Sequence, residues 1–115
     1  MDRGLPDFPS IFRIPADHRL ESAGALSRGG RVYGQCWFHC EYDRDDRLVA
    51  RYETYDEVGA EGGPRCGWRR YDSEGRLTLF HEVAMRWAAL VASAASRGAA
   101  EAALQGPVAE LAAPA

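Results

Sequence analysis

Lysine is absent from this 115-residue chain: all fourteen basic side chains are arginine. Base-composition bias accounts for this, in keeping with the abundant Ala and Gly. Selection for the planar, bidentate guanidinium would also account for it, and composition does not separate the two. A strong charge of either sign is missing as well. The formal net charge is -3, too small to imply electrostatic capture of nucleic acid or of an anionic membrane surface. Long apolar runs are lacking: the longest, Trp87 to Ala92, falls far short of the roughly 20 residues that span a bilayer. Residues 1–10 contain Pro6 and Pro9 and show no charged segment leading into an apolar one, so no export signal is expected there. Cysteine is scarce and odd in number, at three. With no export signal, that count points to reduced thiols and a cytoplasmic location.

What is present describes an ordinary globular domain. Apolar residues make up 46% and charged residues 27%, a composition that folds without disulfides or a metal at this length. Residues 1–18, with Pro6, Pro9 and Pro15, read as an extended arm carrying at most a short strand at Ile11 to Ile14. Residues 19–105 form the single domain, and residues 106–115 read as a mobile Ala-rich tail.

Within the domain the dominant period is two. Arg31 to Tyr42 alternates, with Val32, Cys36, Phe38, Cys40 and Tyr42 on one face. Tyr33, Gln35, Trp37, His39 and Glu41 lie on the other. Arg19 to Leu26 reads as a preceding strand, joined through Arg28-Gly29-Gly30. Arg47 to Glu57 returns, with Leu48, Ala50 and Tyr52 on its inward face. Gly59 to Pro64 reads as a flexible loop, and Arg65 to Tyr71 and Arg76 to Glu82 make a second hairpin. The two turns match at a spacing of 29 residues: Tyr42 to Leu48 reads YDRDDRL, and Tyr71 to Leu77 reads YDSEGRL. Asp at the first turn position can cap backbone amides. The fourth position calls for a left-handed residue, supplied by Asp46 and Gly75. From Val83 the period lengthens to that of a helix, predicted to run to about Arg97 with its apolar stripe on the sheet. The fold class expected is therefore α+β: an antiparallel meander of four to five strands, a half-open sheet or small barrel, with one C-terminal helix.

Gly67-Trp68-Arg69-Arg70-Tyr71-Asp72-Ser73-Glu74-Gly75-Arg76-Leu77 resembles the phrase of MORN-variant and YD-type β-hairpin repeats, found in bacterial antitoxin-like proteins. Gly34, Trp37, Tyr42, Asp43 and Leu48 follow the same phrase more loosely. The resemblance covers residues 31–82 at most, in two copies, with Asp46 where the phrase has Gly. It implies a bacterial, non-catalytic β scaffold used for contacts and carries no catalytic residue.

Chemistry-bearing residues are few. Cys36, His39, Cys40, Cys66 and His81 invite a metal reading. Residues four apart on a strand lie roughly 13 Å apart, however, whereas two sulfurs on one zinc sit within about 4 Å. Cys36 and Cys40 cannot then share a metal or a disulfide, and no metal or other cofactor is expected. A Cys66–His39–Glu41 cluster is the one conceivable nucleophilic arrangement. Gly59 to Gly63 lacks the Lys and helix start of a phosphate loop.

The stronger feature is a mixed aromatic face. Tyr33, Trp37, His39, Glu41, Arg51, Tyr55, Trp68, Arg70 and Phe80 are expected to share it, in the composition of a protein-contact core. Glu41, Glu53 and Glu82 on the same face argue against nucleic acid. The expected function is thus a non-enzymatic protein-interaction module, such as an adaptor, an assembly factor or an antitoxin-like inhibitor, with self-association as a further option. The alternative is a small-ligand pocket or minor enzyme between sheet and helix. Burial discriminates: a pocket shelters His39 and Glu41, whereas a contact surface leaves them open.

Overall fold

A computed structural model describes residues 7–93, 104 and 109–110. Five long strands run in chain order as an antiparallel meander: β1 (Arg19–Arg28), β2 (Tyr33–Tyr42), β3 (Leu48–Val58), β4 (Pro64–Asp72) and β5 (Leu77–Val83). A two-residue β6 (Ala109–Glu110) pairs with β5 at Leu79 and Phe80. β1 and β6 are the two ends of the strand order, so the sheet is open and does not close into a barrel. A short helix α1 (Phe8–Phe12) precedes the sheet, and α2 (Trp87–Ser93) follows β5. The expected α+β meander with a C-terminal helix is the observed fold. No helix among the described residues is long and apolar enough to cross a membrane.

Three of the hairpin connections share one geometry. In the β2–β3 turn the Asp43 amide donates to Arg47 O at 3.0 Å and the Asp46 amide to Asp43 O at 3.0 Å. The β4–β5 turn repeats this at Asp72, Gly75 and Arg76. The Asp carboxylates cap as their position suggests. Asp43 Oδ1 accepts from the amides of Asp45 and Arg47, and Asp72 Oδ1 from those of Glu74 and Arg76. The left-handed residues are Asp46 (φ 61°) and Gly75 (φ 86°). Gly59 to Gly63, expected as a flexible loop, is a tight turn of the same kind: the Gly59 amide donates to Gly63 O, and the Gly62 amide to Gly59 O.

Two expectations are corrected. The arm is not extended near its end, because Phe8–Phe12 coils into one helical turn closed by Arg13 in the left-handed region (φ 56°). Pro9 sits in the first turn, where a missing N–H costs nothing. Helix α2 starts at Trp87 rather than near Val83, because Val83 is still paired with Cys66 in the sheet. Asp56 of β3 sets the start: its Oδ1 accepts from the Trp87 amide at 2.9 Å and from Arg86 Nε at 2.8 Å. A carboxylate there satisfies an orphan amide and meets the positive end of the helix. Residues 94–97 of the expected helix, 1–6 of the arm, and the expected tail apart from Ala109 and Glu110 lie outside the described residues.

The core lies on one face of the sheet. Ala50, Tyr52, Cys66 and Trp68 of the strands meet Ile11 and Phe12 of α1, Trp87 and Leu90 of α2, and Leu104. Phe12 stacks on Tyr52 at 4.0 Å between centroids and meets Trp68 edge-on at 5.2 Å. The Trp68 indole N–H donates to Leu104 O, giving a buried tryptophan its partner.

Candidate functional site

The register decides which residues share a face. Across β2 and β3, Trp37 pairs with Thr54, His39 with Tyr52 and Glu41 with Ala50, but Tyr42 pairs with Leu48, leaving Val49 as an extra residue. Across β4 and β5, Trp68 pairs with His81 and Arg70 with Leu79, but Tyr71 pairs with Leu77, leaving Thr78 as the extra residue. Each return strand thus carries a one-residue bulge just after its turn. A one-residue slip moves every later side chain to the opposite face. The expected contact set is therefore split. Trp37, His39, Glu41, Trp68 and Arg70 lie on the covered face, and Arg51, Tyr55 and Phe80 lie on the open one. Tyr33 belongs to the covered side by register but stands exposed near the end of its strand. Cys36, Phe38 and Cys40, expected inward, are on the open face.

On the covered face the chain shields its own aromatics. Phe8 lies 4.3 Å from the His39 ring and 5.9 Å from that of Trp37. His39 is 8% exposed, Glu41 3% and Trp68 3%. Burial alone pushes the His39 imidazole below its ordinary value, so it sits there neutral. Glu41 is held by a relay: its Oε1 accepts from Tyr52 Oη at 2.6 Å, and its Oε2 lies 2.5 Å from His18 Nδ1. Arg70 Nε donates to Tyr52 Oη at 3.3 Å, and Arg70 Nη1 donates to Thr78 Oγ1 at 3.1 Å. Burial and the bond to Glu41 push the Tyr52 phenol up. Glu41, Tyr52, His18, Arg70 and Thr78 satisfy one another under a protein cover, whereas His39 Nδ1 is buried with no hydrogen-bond partner among the described residues.

The nucleophilic cluster is not assembled. Cys66 pairs with Asp56 and Val83, while His39 pairs with Tyr52, which faces Arg70. Burial pushes the Cys66 thiol up to about 12, so at neutral pH it is not the thiolate that attack requires. Among the described residues no three His, Cys, Asp or Glu come together as a metal site.

The open face is organised differently. Tyr55 lies across Gly67 to donate its hydroxyl to Glu82 Oε1 at 2.5 Å, with the Arg69 guanidinium 4.6 Å from its ring. Gly67 is required by close approach, since a Cβ there would stand 2.1 Å from His81 O. Arg69 Nη1 donates to Glu53 at 2.7 Å, Arg65 pairs with Glu57 at 2.7 Å, and Arg28 reaches Glu57 at 3.9 Å. Arg51 differs from these three. It is exposed and, among the described residues, has no carboxylate or hydrogen-bond partner. It borders a depression of about 180 Å³ lined also by Ala23, Phe38, Cys40, Glu53 and Tyr71, with His39 and Tyr52 between them along β2 and β3.

Of the nine expected site residues, the structure brings Trp37, His39 and Glu41 together in the covered interior and leaves Arg51 at the open depression. Phe38, Cys40, Glu53, Arg69 and Tyr71 of the open face were missed. No local sequence signal marks the bulges: the β3–β4 turn also closes on a left-handed residue, Gly62 (φ 85°), yet its strands pair without a register shift. No family model, curated protein or solved structure matches this chain, so the candidate site stands on its own geometry.

Proposed function

We propose that the protein is a non-enzymatic interaction module, of the adaptor, assembly-factor or antitoxin-like kind, which docks a protein partner on the open face of its sheet. The supporting observation is the contrast between the faces. One is filled by the chain's own α1, α2 and Leu104, whereas the other presents Phe38 and Tyr71 beside Arg51, which has no partner among the described residues, and Phe80 further along on β5. Half-buried aromatics beside an arginine with no partner among the described residues are the composition of a contact core. His39 and Glu41 are sheltered as a closed pocket requires, but protein fills the space above them: Phe8 on His39, and His18 and Tyr52 on Glu41. Among the described residues this filling favours the docking reading over the pocket alternative.

The test is site-specific photo-crosslinking in the native host, with the photoreactive side chain placed at Phe80 on the open face or at Ala60 in the β3–β4 turn. A discrete partner band from position 80 and none from position 60 is the expected result. No band from position 80, or the same bands from both positions, removes the open face as a docking surface.

A further inference from the structure

We propose that the depression beside Arg51 is a carboxylate socket, which receives one Asp or Glu side chain of the partner protein. This rests on the open face being the docking surface and adds what that surface recognises.

Charge bookkeeping across the face leads there. Three of its guanidinium groups, Arg28, Arg65 and Arg69, lie against Glu57 or Glu53. Arg51 stands opposite Cys40 on β2 and Tyr71 on β4, neither of which is a carboxylate. Glu53 borders the same depression, but Arg69 already holds it at 2.7 Å. Among the described residues the socket therefore presents one uncompensated positive charge in a mostly apolar setting. A carboxylate brings one negative charge and matches the guanidinium fork with two parallel N–H···O bonds. A phosphomonoester brings about −1.5 to −2, which would leave excess negative charge against Glu53.

Shape agrees with a side chain rather than a free metabolite. The volume of about 180 Å³ lies below the roughly 300–1,000 Å³ usual for small-molecule and cofactor sites. Ala23 is the extra residue of the β1 bulge, between Ser22 and Gly24, and its small side chain leaves the β1 side of the socket low. Phe38 and Tyr71 supply apolar walls for the methylenes of the incoming acid and for a neighbouring apolar residue of the partner.

The test is an NMR titration of the full-length ¹⁵N-labelled protein with a capped peptide, Ala-Phe-Glu-Phe-Ala. Two counterparts carry Gln or phosphoserine in place of the central Glu. The Glu peptide should give saturable shifts centred on the Arg51 Nε–H and on the amides of Cys40 and Tyr71. Affinity should fall at least about tenfold with the Gln peptide and in the Arg51→Gln protein. The turn variant Arg76→Gln should bind as the parent does. Arg51 is exposed, so its substitution should leave the thermal midpoint unchanged, which separates lost binding from lost fold. Equal binding of the Gln peptide, tighter binding of the phosphoserine peptide, shifts centred elsewhere, or no saturable shift each overturn the socket. If the Phe80 crosslink persists in any of those cases, the docking face stands and only the carboxylate assignment falls. If the crosslink is absent too, both fall.

Discussion

The three thiols occupy three different environments, and their chemistry should differ accordingly. Cys36 lies under the open-face side chains beside Tyr55, and Cys66 lies within the core; each is 2% exposed. Burial pushes the thiols of both upward. Cys40 is only half-buried, at the edge of the depression. Because the thiolate is the reacting species and must be reached by reagent, a disulfide reagent at pH 8 should titrate one thiol in the native protein and all three in urea. The Cys40→Ser protein should show none until unfolded. Native reactivity that survives in that variant would mean that Cys36 or Cys66 is reached through an opening the fold does not show. Arg51 makes the corresponding point for function. Its residue type and strand were legible in the sequence, but its lack of a partner was not, because pairing depends on which acids the neighbouring strands place opposite it.

At the level of elements, the strands and turns were legible because period-two alternation and Asp/Gly turn chemistry are local properties. The bulges at Val49 and Thr78 were not read, and they exchanged the faces of β3 and β5 relative to β2 and β4: extending the turn-proximal pairs Tyr42 with Leu48 and Tyr71 with Leu77 gives the expected but incorrect set. Aromatic content could not correct this, since a buried Trp68 and an exposed contact tryptophan look alike in sequence. Helix α1 escaped for a related reason. The surrounding Pro6, Pro9 and Pro15 read as extended chain, and its helicity depends on Ile11 and Phe12 having a core to enter. That dependence is testable. Phe12 stacks on Tyr52 and abuts Trp68, so Phe12→Ala should cost about 3–5 kcal/mol in urea unfolding and shift tryptophan emission to the red. A loss under about 1 kcal/mol would show that α1 caps the sheet without being part of its core.

For the whole molecule, burial of titratable groups on both faces predicts a stability maximum near neutral pH with arms of separate origin. On the alkaline side the folded state keeps protons that the unfolded chain releases. Cys66 moves from an ordinary 9.0 up to about 12, and Tyr52 and Tyr55 are raised from 10.0 by burial and by their bonds to Glu41 and Glu82. The unfolded state then binds fewer protons than the native one, so stability falls as pH rises above about 9, by at most ~1.4 kcal/mol per pH unit for each displaced group. On the acid side the sign is reversed. His39, lowered from 6.5 by burial among Phe8, Phe12 and Tyr52, stays neutral when folded but takes a proton when unfolded. Stability is therefore lost as pH drops below 6.5. The capping carboxylates Asp43 and Asp72, lowered from 3.8 chiefly by the backbone amides they accept, add their loss only near and below pH 4. Urea midpoints measured from pH 3 to 11 should trace both arms. His39→Phe, which keeps an aromatic ring against Phe8, should flatten the segment between pH 6.5 and 5 while leaving the alkaline arm in place. An acid arm of undiminished slope in that variant would locate the proton uptake at another group and remove the neutral, buried imidazole as its cause.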